Sequence, residues 1–285
     1  MSATKTCLFC GRVLPPKRIK NGKSDEHIIP QWLMDHLGLR TMPVTGMRWD
    51  VPSRQVLELK QHAIRKFVSG GVCAGCNGGW MSKLETETKP LLIRLIADPH
   101  ELSLLTEYER FLLARWTLKT AAALNAASFG NPGNPLDRPI PRAHLKPLVS
   151  GSFPDEVVVF AGGCPNNRIA DFIQNASWAV PKYSVPLVKE EQDRSYKVGM
   201  SFRSLLLGVA YYPNREYVYG LPERTHLVVW CNRRGVVRPF DDIGEVPIVA
   251  NCPVVEGFLA NAFIVSKARW SLTENYGNSG LIIRP

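Results

Sequence analysis

The strongest periodicity in the chain begins at Thr106, where Glu109 three residues on completes a capping-box signature. Tyr108, Leu112, Arg115, Trp116, Lys119 and Leu124 follow on a helix-compatible run that ends near Gly130. Upstream the pattern is more broken. Trp32, Leu33 and Leu37 predict a short helix that Gly38 stops. Val56, Leu57 and Leu59, then Ala63, Ile64, Phe67 and Val68, predict one or two strands ending at Gly70 and Gly71. Trp80 and Leu84 predict a helix that starts near Asn77 despite Gly78 and Gly79 and lasts until Pro90.

Downstream, Asn131-Pro132-Gly133-Asn134-Pro135 is turn-rich and marks a domain break. Residues 142–149 predict a short helix with Pro147 near its end, and Glu156-Val157-Val158-Val159-Phe160 a strand. Between Tyr196 and Tyr212 the strand and helix readings compete, because Ser201, Arg203 and Ser204 alternate while Leu205, Leu206 and Leu207 do not. Residues 215–219 and 225–231 predict strands, and 255–265 suits either state. The fold class predicted is α+β, in three parts: residues 1–90, a helical connector over 91–134, and a mixed domain over 135–285 that selects substrate or makes a dimer.

Composition adds two exclusions. Hydrophobic residues make up 45% and charged residues 21%, and no apolar run approaches the ~18 residues of a membrane span. The first 23 residues are basic and lack an apolar signal core, so a cytoplasmic protein is expected. Charge, by contrast, is informative. The net charge is +10, and residues 1–90 hold 14 Lys and Arg against 7 Asp and Glu, while the rest hold 21 against 18. A positive excess at one end suits a polyanion such as nucleic acid. Lys17, Arg18, Lys20, Lys23, Arg65, Lys66 and Lys83 are the candidates for phosphate contact.

Four of the seven cysteines fall in two Cys-x-x-Cys pairs, Cys7 with Cys10 and Cys73 with Cys76. Two such pairs offer the four thiolates of a tetrahedral structural zinc. Their separation is wide, with 62 residues between Cys10 and Cys73, so a zinc here would clamp a long insertion. Cys164, Cys231 and Cys252 are expected as free thiols.

The insertion carries Glu26-His27-Ile28-Ile29-Pro30, and the second knuckle runs directly into Asn77. Taken together, Cys-x-x-Cys, then Glu-His-Ile-Ile-Pro, then Cys-x-x-Cys-Asn opening a helix resembles the HNH endonuclease family over about residues 5–90. The resemblance implies a zinc-stabilised ββα-metal module in residues 1–90. It implies that His27 draws a proton from water and that Glu26 and Asn77 hold a catalytic divalent ion, magnesium or manganese. Three departures stand out. Many members have Asp where this chain has Glu26, with Asp25 as the fallback. No Asn lies between Asn21 and Asn77, so Gln55, Gln61 or His62 would take the supporting role of the middle Asn. Met81, one turn after Asn77, excludes a histidine-rich metal site.

Two functions follow as expectations. The first is a metal-dependent HNH endonuclease hydrolysing phosphodiester bonds of DNA, where one site nicks one strand and a double-strand cut calls for a homodimer. The second is a non-catalytic zinc module that binds nucleic acid or a protein partner, with Glu26 and His27 purely structural.

Overall fold

The computed structural model describes residues 5–14, 24–40, 43–50, 55–63, 68–127, 140–163, 176–179, 195–213, 217–222, 227–232, 237–240 and 263–266. Of residues 24–26, 43–50, 55–63, 69–70, 176–179, 217–222, 237–240 and 263–266 it describes the backbone. Helices and antiparallel sheets occur together, an α+β content.

The first knuckle is a miniature hairpin in which Thr6 bridges Val13 and the Leu14 amide reaches the Lys5 carbonyl. Strand β1 (Ser24–His27) follows, then helix α1 (Gln31–His36). Gly38 takes a left-handed φ of 70° just past that helix, the conformation that ends it at little cost to glycine. Strands β2 (Pro43–Asp50) and β3 (Gln55–Ala63) pair antiparallel with each other and form an excursion of their own. The chain then returns as β4 (Val68–Val72), which pairs antiparallel with β1: Ser24 faces Val72 and His27 faces Val68.

Helix α2 (Ala74–Cys76) is followed by a π-helical turn (Asn77–Met81) and then by α3 (Ser82–Ala97). Gly79, at φ −100° and ψ −111°, leaves helical geometry, so the turn after Cys76 and α3 meet at a kink and not as one continuous helix. Pro90 does not end α3. It lies exposed, where solvent can replace the backbone hydrogen bond that proline removes. A 3₁₀ segment (Pro99–Leu104) leads to α4 (Glu107–Ala127). The capping box forms as expected: Glu109 accepts from the Thr106 amide at 2.9 Å, and Thr106 Oγ1 accepts from the Glu109 amide at 3.3 Å.

Helix α5 (Arg142–Val149) precedes a five-stranded antiparallel sheet ordered β10-β5-β8-β7-β6. Its strands are β5 (Val157–Gly163), β6 (Ala176–Ala179), β7 (Tyr196–Phe202), β8 (Leu205–Tyr211) and β10 (Leu227–Trp230). The ambiguous stretch after Tyr196 is thus a hairpin, turned at Arg203, whose φ is 52°. Burial on both faces explains why its sequence lacks alternation: every residue of β7 is buried. A side chain at Gly208 would meet the Phe160 ring, its Cβ 2.3 Å from the nearest ring carbon. Strand β9 (Tyr217–Pro222) lies between β11 (Val237–Phe240), parallel to it, and β12 (Phe263–Ser266), antiparallel.

Helix α4 holds these parts together. Trp116, fully buried, meets Phe202 of the sheet edge-on at 5.8 Å, while Leu113, Leu118 and Leu124 complete the core. Its Lys119 is also fully buried and pairs with Glu85 of α3. Removing one partner of a buried pair strands the other charge away from water. Glu85→Ala is therefore expected to cost about 3 kcal/mol of stability, read as a shifted urea midpoint with unchanged slope. A cost below ~1 kcal/mol would show that the pair is solvated and contributes little.

Candidate metal centre

The local folding of each knuckle follows from its turn. In the first, the Cys7 amide donates to the Arg12 carbonyl at 2.7 Å and Gly11 takes φ 77°, so the chain doubles back and presents two sulfurs. In the second, Cys73 sits in extended backbone as the N-cap of α2, and Cys76 lies one turn on. The two are joined by β4, since the Leu8 amide donates to the Gly71 carbonyl at 2.8 Å, just before Cys73. A chain separation of 62 residues thus closes to contact.

Sulfur geometry matches a tetrahedral ion. Cys7 Sγ lies 3.9 Å from Cys76 Sγ, Cys10 Sγ lies 3.7 Å from Cys73 Sγ, and all four lie within 4.8 Å of one another. Zinc–sulfur bonds of ~2.3 Å set the edge of a tetrahedron at about 3.8 Å. Backbone amides aim at two of the sulfurs: the Cys73 N–H at Cys7 Sγ and the Cys76 N–H at Cys73 Sγ, each at 3.4 Å. Such donors stabilise thiolates, which are the form that binds metal.

The four thiols differ in acidity. At Cys7 burial opposes ionisation, but amides of Cys10, Cys73 and Phe9 outweigh it and bring the pKa down to about 7. Burial pushes Cys73 up, against the amide of Cys76. Cys76 is pushed up furthest, by burial and then by the neighbouring sulfurs, with the Trp80 indole pulling the other way. Trp80 also meets Phe9 edge-on at 5.3 Å, so an aromatic wall shields this side of the cluster. Crowded thiols that resist separate ionisation gain by sharing a divalent cation, and the donor set of four sulfurs suits zinc.

No family model matches this chain, and no curated protein or solved structure matches it either.

The remaining expected residues divide into two groups. His27 ends β1 and is half-buried; Ile28 and Ile29 behind it are buried at 0% and 3% exposure, and Pro30 starts α1. Those two isoleucines anchor the strand end in the core and hold the imidazole at its rim. Its Nε2 lies 3.4 Å from the side-chain nitrogen of Gln31, the first residue of α1. Asn77 is half-buried directly after the thiol turn, its amide bonded to the Cys73 carbonyl at 3.1 Å. Lys83 is exposed on α3, 3.8 Å from Glu87.

The side chain of Glu26, with its fallback Asp25, lies outside the described residues, as do Lys17, Arg18, Lys20, Lys23, Arg65 and Lys66. Gln55, Gln61 and His62 are on β3, whose backbone pairs with β2, and their side chains lie outside the described residues. Cys231 is a half-buried thiol outside any disulfide, and Cys164 and Cys252 fall outside the described residues. Gln31 is the site neighbour that sequence reasoning missed. The available signal was its place four residues after His27, but that spacing carries meaning only once the strand is known to turn directly into a helix.

Among the described residues, the thiols are the one group of three or more metal-ligand side chains that converge. Native mass spectrometry is expected to find one zinc per chain, and Cys76→Ser to lose it. A structural zinc typically contributes on the order of 10 kcal/mol to such a unit. Chelation is therefore expected to strip residues 5–14 and 68–82 of amide-exchange protection while the five-stranded sheet keeps its own.

Proposed function

We propose that this chain is a metal-dependent endonuclease of the HNH type that hydrolyses phosphodiester bonds in DNA. The observation that carries the reading is the order of its elements: antiparallel β1 and β4, then a thiol-bearing turn one residue past Val72, then the helical turn from Asn77 that kinks at Gly79 into α3. That is the strand, strand, helix succession that the sequence resemblance implies, with its histidine at the end of the first strand and its asparagine at the head of the helix. The excess of basic residues in 1–90 fits a phosphate-bearing substrate.

Within this reading His27 takes a proton from the attacking water, a role suited to an imidazole near neutrality. Gln31 would take the supporting position that the absent middle Asn leaves: its carboxamide lies 3.4 Å from Nε2 and, with its oxygen accepting from Nε2–H, leaves the Nδ1 lone pair to take the proton. Glu26 and Asn77 would hold a magnesium or manganese ion, which supplies positive charge beside the scissile phosphate. Lys83 and the basic segment before β1 would engage the backbone of the duplex. Residues 135–285 would choose the substrate or pair two chains, since one such centre cuts one strand.

Nicking of supercoiled plasmid with magnesium or manganese tests the proposal. The zinc-loaded wild type is expected to nick, and His27→Ala to lose at least ~100-fold while keeping its zinc. Equal activity in both, or none in either, leaves a non-catalytic zinc module as the function. Gln31→Ala is expected to lose activity less severely than His27→Ala, read as a fall in kcat with little change in KM.

A further inference from the structure

Several surface cations have a carboxylate beside them: Arg40 lies 2.9 Å from Asp35, Lys83 3.8 Å from Glu87, and Arg94 reaches Glu101 at 3.3 Å and Glu109 at 2.7 Å. Four others do not. Residues 5–14 and 142–149 contain Lys5, Arg12, Arg142 and Lys146 and no Asp or Glu. All four are exposed, and none of them forms an ion pair among the described residues.

The fold gathers these four into one strip. Arg142, the first residue of α5, donates from Nη2 to Thr6 Oγ1, and the same guanidinium lies against Gly11. Lys5 is the neighbour of Thr6 and Arg12 the neighbour of Gly11, so Arg142 sits between two further cations. Lys146 follows four residues on, one turn along the same face of α5. The other face of that helix is turned into the core, where His144, Leu145 and Leu148 are buried. There His144 Nδ1 lies 3.0 Å from the Tyr196 hydroxyl of β7, and its Nε2 lies 3.9 Å from Glu156. The carboxylate that meets α5 therefore does so on the side away from Arg142 and Lys146.

Like charges gathered on one surface repel each other, and an anion that binds there relieves the repulsion. Four thiolates around a divalent zinc leave two formal negative charges, enough to offset half of the strip. We propose that the first knuckle and α5 together form a surface for the phosphate backbone of duplex DNA, with Lys5, Arg12, Arg142 and Lys146 as its contacts. The choice of DNA rests on the nuclease reading above, and the place rests on the unpaired strip. Its position suits that substrate. The knuckle adjoins the Ser24 end of β1, because Leu8 bonds to Gly71 and the next residue, Val72, faces Ser24. His27 ends the same strand, about 10 Å further on at the usual rise per residue. One helical turn of duplex, ~34 Å long, is enough to reach both. Arg142 and Lys146 thereby bring residues 135–285 into contact with the substrate.

Fluorescence anisotropy with a labelled DNA duplex about two helical turns long tests the surface. The full zinc-loaded chain carries His27→Ala, so that no cutting intervenes, and native mass spectrometry verifies zinc in every variant. Lys146→Gln, at an exposed position without a partner, is expected to weaken binding roughly eightfold at ~0.1 M salt and to lower the salt slope by about 0.9. Lys5→Gln and Arg12→Gln are expected to do the same, and Lys146→Arg to bind as the parent does. Arg203→Gln removes an equal charge at the exposed β7–β8 turn, about 20 Å along β7 from Tyr196, and is expected to change nothing. The proposal is overturned if the parent does not bind the duplex, if Lys146→Gln binds as the parent does, or if Arg203→Gln weakens binding equally. Tighter, strip-dependent binding of an RNA duplex of the same length overturns the choice of DNA. Nicking by the protein with His27 intact reports separately on the nuclease reading: strip-dependent binding without nicking sinks that reading and leaves the surface standing.

Discussion

Closing an excursion of 62 residues onto a single turn is entropically costly, and the approach of four sulfurs to within 4.8 Å is what this end of the chain depends on. The first knuckle contributes Phe9 and Leu14 to the core, with Leu8 packed against it. Placing a divalent cation between crowded, partly desolvated thiols converts their mutual repulsion into attraction. The amides aimed at Cys7 and Cys73 are already oriented for the charged form, so the turns and the chemistry favour the same state.

The remainder of the molecule is organised by a different force. Helix α4 buries residues on nearly its whole circumference, from Leu112 to Asn125, because α3, α5 and the sheet each take a side of it. That position explains its odd sequence. An ordinary surface helix keeps a polar stripe, whereas here Lys119 and Thr117 are inside, the first paired with Glu85 and the second bonded to the carbonyl of Leu113 at 2.7 Å. Through α4 the thiol cluster and the sheet share one core, and Arg142 of α5 adds a surface hydrogen bond to Thr6.

In the candidate site the contrast between anchored and peripheral groups matters for chemistry. Ile28, Ile29 and Pro30 give His27 a rigid base, and Gln31 limits the ring's rotation at the cost of one long hydrogen bond. A side chain poised in this way loses little freedom when a substrate arrives, which is the condition for effective proton transfer. The proposed nuclease activity asks for such positioning and adds the requirement that Glu26 and Asn77 face the same phosphate.

Much of this architecture was legible in the residues. The thiol quartet could be read from two short spacings, because a Cys-x-x-Cys turn presents its sulfurs by local geometry alone, and the cap of α4 from Thr106 and Glu109 for the same reason. The helices at 31–36 and 142–149 likewise follow local rules of spacing and termination. Other features could not be read locally. The hairpin of β7 and β8 carries apolar residues on both faces, so its periodicity is silent until its neighbours are known. The pairing of β1 with β4 skips an intervening hairpin and is decided by which edges meet after collapse. The contacts of His27 with Gln31, of Lys119 with Glu85 and of His144 with Tyr196 and Glu156 belong to the tertiary structure. A side chain's burial and partners depend on what distant segments deliver to it, and no local pattern encodes that delivery.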